Sequence, residues 1–124
     1  ISVPLQPDEE ICCTMEDMNE LQLTCFEIIS YVGTAKSCFV NAMTKAREGN
    51  FEEAANLIAE GDKAFAEGHD VHLKLLQADA AGEREPDAPL ILLHAEDQMA
   101  GTETVRIMAT EFITLYKRLD GVEE

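Results

Sequence analysis

Apolar residues recur along this chain at steps of three and four, the spacing that gathers them on one face of an α-helix, and no credible strand pattern appears. The first such run predicts a helix from about Thr14, with Thr14 as N-cap and Asp17 three residues on, to Arg47, where Glu48-Gly49 supplies the stop. Leu21, Cys25, Ile28, Ile29, Val32, Ala35, Phe39, Ala42, Met43 and Ala46 form its predicted apolar face. A second helix is predicted to open on Asn50, with Glu53 at the capping-box position, to carry Phe51, Ala54, Ile58, Phe65, His72 and Leu76 on a shared face, and to end at Gly82. Asp87 is the predicted N-cap of a third helix, from about Ala88 to Leu119, closed by Gly121. Short connections predict an all-α fold, an antiparallel three-helix up-down-up bundle.

The third helix carries the pattern that needs explaining. At about 100° per residue, Leu90, His94, Asp97, Gly101, Val105, Met108, Phe112, Leu115 and Leu119 fall on one stripe, predicted to face a core. A carboxylate there costs several kcal/mol unless it is paired, hydrogen-bonded or bound to a cation. In addition, Leu90, Ile91, Leu92 and Leu93 point in four directions, so this turn has to be covered on nearly every side. Assembly of several copies around the start of the helix would cover it, at about 1.5 to 3 kcal/mol for each side chain buried.

Composition narrows the class. The chain has 124 residues, 46% of them apolar and 27% charged, which suits one globular domain. Residues 1–13 are expected to form a flexible acidic leader and residues 14–124 a single domain. The absence of a long apolar run and of signal-peptide features predicts a cytoplasmic protein without direct membrane insertion. Twenty-five acidic against nine basic residues leave a net charge of −16, which repels phosphate backbones and makes nucleic acid a poor partner. Protein partners with basic or apolar docking patches suit it better. Four cysteines, Cys12, Cys13, Cys25 and Cys38, lack CxxC spacing; the last two, at helical spacing among apolar neighbours, read as buried free thiols.

Three histidines carry the candidate chemistry. His94 and Asp97 stand three apart and are helix-surface neighbours. In an antiparallel hairpin His72 falls within about two turns of His94, so His69, His72 and His94 are expected to collect at one end of the bundle. One suitable chemistry is phosphoryl carriage, in which a neutral imidazole attacks a phosphoryl group and later surrenders it. Another is a metal site built from His69, His72, His94 and Asp97 or Glu96, in a metal-binding or scaffold bundle. The third is packing alone. The residues by themselves leave these three open.

The segments AREGNFEEA, AEGHDVHLKLL, ADAAGE, LLHAEDQM and EFITLYKRL, in this order and spacing, resemble the IIA component of the lactose/cellobiose (N,N'-diacetylchitobiose) branch of the bacterial sugar phosphotransferase system, from about Leu23 to Leu119. The resemblance implies a homotrimeric phosphocarrier. Its acceptor would be His94, taking a phosphoryl group from the phosphohistidine of the general carrier protein (HPr) and passing it to a cysteine of the cognate IIB component. Asp97 would lie on the threefold axis, where the family's three aspartates hold a divalent cation, usually magnesium. Carboxylates about 4 Å apart repel by roughly 4 kcal/mol per pair at an effective dielectric of about 20, so a cation or shared protons are needed there. His69 matches a family histidine and is given a supporting part. Departures from the family's His-Ala-Gln-Asp-His signature are Glu96 for its Gln and Gln98 for its second His, and His72-Leu73 replace its Gln-Thr in the second helix.

Overall fold

The computed structural model describes residues 18–84 and 86–122. It consists of α1 (Glu20–Arg47), α2 (Phe51–Ala80) and α3 (Leu90–Leu119), and the described residues contain no strand. The expected all-α architecture is therefore the observed one.

α1 begins later than the periodicity suggested. Asn19 is extended, at φ −76° and ψ 171°, and forms a reciprocal capping box with Gln22: its side chain accepts from the Gln22 backbone N–H while Gln22 Oε1 accepts from the Asn19 N–H. A residue in that conformation cannot continue a helix from upstream. The expected cap Thr14, together with Cys12 and Cys13, lies outside the described residues. α2 starts as expected, with the Asn50 side chain accepting from the Glu53 N–H. α3 starts at Leu90, not Ala88, because Pro89 occupies the cap position and leaves it with no side-chain cap. Asp87, the predicted cap, instead uses its backbone carbonyl to accept from Arg84. The tight reversal after α1 places Gly49 at φ +83°, a conformation in which a Cβ would be strained.

α1 is the central element. Its buried residues Cys25, Ile28, Val32, Ala35, Phe39, Ala42 and Ala46 all belong to the predicted face. The upper part of the core joins Cys25, Ile28 and Val32 to Leu92, Ala95 and Met99 of α3, and the lower part joins Ala35 and Phe39 to Ala109. Sequence numbers rise together in these pairs, so α1 and α3 run parallel. Phe39 meets Gly61 and Val32 meets Gly68, numbers that run oppositely, so α2 is antiparallel to α1. The chain goes up, down and up. α2 and α3 both lean on α1 and have little contact with each other.

Two glycines in α2, to which the pattern of large apolar residues gave no role, set the α1–α2 approach. A Cβ on Gly61 would lie 2.5 Å from Phe39 Cε1, and one on Gly68 would lie 3.1 Å from both Tyr31 Cβ and Val32 Cγ1. The Phe39 ring, fully buried, sits in the space that Gly61 leaves. Leu76, expected on the inner face of α2, is exposed, since Gly61, Gly68, Val71 and Leu75 turn the contact face slightly round the helix.

Candidate functional site: the outward stripe of α3

The buried residues of α3 are Leu92, Ala95, Met99, Thr102 and Ala109, a face different from the stripe that the sequence marked as core. That expectation is corrected here. Leu90, His94, Asp97, Gly101, Met108, Leu115 and Leu119 are exposed, while Val105 and Phe112 at its edge are half-buried. The smaller residues of α3 fit closely against α1, and Thr102 Oγ1 donates to the Val32 carbonyl at 3.4 Å. Leu92 and Met99 are buried with these small residues, while other large apolar side chains of the helix face out, with Leu90 82% and Leu119 72% exposed. Of the four apolar residues in the first turn, Leu92 is buried, Ile91 is half-buried, and Leu90 and Leu93 are exposed.

His94 lies in the second turn of α3, and its side chain leans toward the helix N-terminus, as helical side chains do. Leu92 and Leu93 both reach the Pro89 carbonyl with their backbone N–H, and no side chain caps the groups ahead of them. The positive end of the helix dipole therefore stands close to the imidazole. Asp97, one turn further on, shares the outward stripe. Gly101 follows at the next turn, and a Cβ there would meet nothing within 4 Å. A glycine inside a helix costs about 1 kcal/mol relative to alanine, and none of the described residues packs into the space it leaves.

The other predicted residues sit elsewhere around the same end. His72 Nε2 lies 2.7 Å from Glu96 Oε1, across the α2–α3 gap. A carboxylate only accepts, so Nε2 carries the proton in this bond. His69 is exposed beside Phe65, with ring centroids 6.4 Å apart, and Gln98 is half-buried on α3. The second polar link between α2 and α3 is the forked pair of Arg106 with Asp62, at 2.5 and 2.9 Å, which raises the Arg106 pKa chiefly through that hydrogen bond. His94 and Asp97 take part in neither link. Among the described residues, no three His, Cys, Asp or Glu side chains are grouped to hold a metal, so the tetrahedral site from His69, His72, His94 and Asp97 or Glu96 is not formed within one chain. A hollow of about 670 Å³ between the start of α1 and the end of α2 contains none of the candidate residues.

Comparison with known proteins turns this geometry into a family assignment. The sequence model described as "PTS system, Lactose/Cellobiose specific IIA subunit" matches residues 23–117. The chain is 32% identical over 107 residues to the oligo-beta-mannoside-specific EIIA component of Bacillus subtilis, covering 83% of this chain and 96% of that one. It is 33% identical over 99 residues to the lactose-specific EIIA component of Staphylococcus aureus, covering 80% and 95%. The crystal structure of the cellobiose-specific enzyme IIA from Bacillus anthracis superposes with a TM-score of 0.81 at 32% identity, over 84% of this chain and 94% of that one. The class defined is that of phosphotransferase-system IIA components. The chain belongs to their lactose/cellobiose family. No helix among the described residues is long and apolar enough to cross a membrane.

Proposed function

We propose that the protein is a phosphohistidine carrier in which His94 takes a phosphoryl group from phosphorylated HPr and delivers it to a cysteine of a IIB component, during uptake of a lactose-, cellobiose- or chitobiose-type sugar. In the first step an imidazole nitrogen of His94 attacks phosphorus as the donor's P–N bond breaks. A new P–N bond forms on His94 and the donor imidazole leaves with the electron pair. In the second step the IIB thiolate attacks phosphorus, the His94 P–N bond breaks and a P–S bond forms. The observation that carries this reading is the placement of His94: exposed, in the second turn of a helix without a side-chain cap, where the dipole favours an incoming anion. The names of the relatives support the sugar class.

The exposed apolar stripe of α3 supports a homotrimer that packs these helices around an axis. Asp97 fits a shared divalent cation such as magnesium, because it is a hard oxygen donor on that stripe, outside both α2–α3 links, with open space at Gly101 beside it. Such an ion would offset the mutual repulsion of symmetry-related carboxylates. The test of the carrier function is incubation with 32P-phosphorylated HPr. An acid-labile, base-stable adduct is expected on the wild-type protein and on His69→Ala, and none on His94→Ala. Label retained by His94→Ala would remove this assignment.

A further inference from the structure

We infer that His72 is a positioning residue for the phosphoryl-accepting turn: its Nε2–H tethers the Glu96 carboxylate to α2 and keeps that charge off the approach to His94. The inference rests on the proposed function and deepens it.

Glu96 is two residues from His94, and two residues turn an α-helix by about 200°, so the two side chains leave the helix on different flanks. The flank that Glu96 occupies faces α2, and there the 2.7 Å bond to His72 holds it. The two partners are unequal. The His72 side chain is only 14% exposed and is fixed by its packing, whereas that of Glu96 is 46% exposed and belongs to a long, rotamer-rich residue. The ring is the anchor and the carboxylate is the group being held.

Without the tether, a helical glutamate leans toward the N-terminus of its own helix. That end of α3 is where the dipole would favour a phosphoryl group on His94, and a loose carboxylate there competes for the same field. The chain already carries a net charge of −16, so an added mobile anion near the acceptor is costly to the approach of another. Among the described residues, Arg84 at this end bonds Asp79 and the Asp87 carbonyl and leaves Glu96 to His72, and the Asp62–Arg106 pair joins α3 ten residues further along, about 15 Å away.

The effect is electrostatic, so its signature is rescue. Initial rates of His94 labelling from 32P-phosphorylated HPr, at fixed ionic strength, separate it from simple helix stapling. A unit charge roughly 10 Å from the reacting group should slow labelling of His72→Ala by about three- to tenfold. His72→Gln, which retains an N–H donor, should stay within about twofold of wild type. Glu96→Gln should be as fast as wild type or faster, and the double variant His72→Ala/Glu96→Gln should return to the rate of Glu96→Gln. Glu96→Asp keeps the charge and His72 but is too short for the tether, and should be slowed like His72→Ala. It also serves if His72→Ala fails to fold. A double variant as slow as His72→Ala, or an unslowed Glu96→Asp, overturns the inference. Wild-type protein that takes no label, or His94→Ala that keeps it, overturns the carrier function instead.

Discussion

Cys25 shows how a single side chain records its surroundings. Burial raises its thiol pKa above the ordinary range, the Glu96 charge adds to the rise, and Arg84 opposes it. Cys38 is raised too, by burial and then by Glu60. A thiol whose folded pKa is raised contributes stability that is fully present below the ordinary value of about 8.5 and is lost as pH rises through the folded value, because the unfolded chain releases its proton first. Denaturant midpoints should therefore fall above about pH 8.5, and Cys25→Ala should weaken that part of the fall. Peptide-resolved alkylation at pH 8 should leave Cys25 unmodified in the folded protein and modify it in urea. Cys25 is buried on the predicted face, whereas Cys38, also read as a buried thiol, lies beside that face and is only half-buried. His94 and Asp97 were equally legible as partners on one stripe, since a spacing of three on a helix fixes that they are neighbours. The direction of the stripe was not, because periodicity reports that residues share a face and says nothing of which face a neighbouring helix covers. The His72–Glu96 bond was hidden for a related reason: it depends on the stagger of α2 against α3, and no local pattern encodes that.

At the scale of the element, capping chemistry separates what the chain does from what its pattern offered. Asn19 satisfies an orphan backbone N–H at the head of α1, so Asn19→Ala should cost about 1 kcal/mol in urea unfolding. Asp87, which makes no side-chain cap, should tolerate alanine with a change below about 0.5 kcal/mol. The sequence offered Asp87 because aspartate favours N-caps, yet Pro89 is two residues on, and its fixed φ with no N–H suits the helix boundary itself. In α2 the informative residues are the glycines. Gly61→Ala gains about 1 kcal/mol of helix propensity but drives a methyl into Phe39, and overpacking of this kind typically costs about 1 to 3 kcal/mol. Thermal unfolding should show a net loss for Gly61→Ala, and Phe39→Leu should restore part of it. The two mid-helix glycines, seven residues apart on one face, were the signal in the sequence that side chains of a neighbouring helix come close, Phe39 at Gly61 and Tyr31 and Val32 at Gly68.

At the scale of the whole molecule, the division of α3 into two faces is decisive. One face, Leu92, Ala95, Met99, Thr102 and Ala109, is buried; the other leaves Leu90 and Leu119 largely exposed and Met108 and Leu115 about half exposed. The proposed assembly predicts that Leu115→Glu lowers the mass in solution to that of one chain while helical circular dichroism persists. Asp97→Leu should give a trimer whose mass is indifferent to a chelator, whereas wild-type mass should respond to metal removal or to pH. A helical Asp97→Leu monomer would mean that the carboxylate is needed for something other than holding a cation. The bundle itself was read correctly from helix periods and short connections. The four consecutive apolar residues raised the expectation of assembly; the chain itself buries Leu92 and half-buries Ile91, and the coverage of Leu90 and Leu93 rests on the proposed trimer.

The bare opening turn of α3 carries a final consequence. Its first residues have no side-chain cap and Leu90 stands almost wholly in water, so in an isolated chain this turn belongs to the segments that open most readily. His94 rides on it. In the proposed trimer a partner helix laid over Leu90 and Leu93 would quiet that fraying and hold the imidazole still; readiness for the proposed transfer would then depend on the subunit's concentration as well as on its shape, and dilution would switch it off.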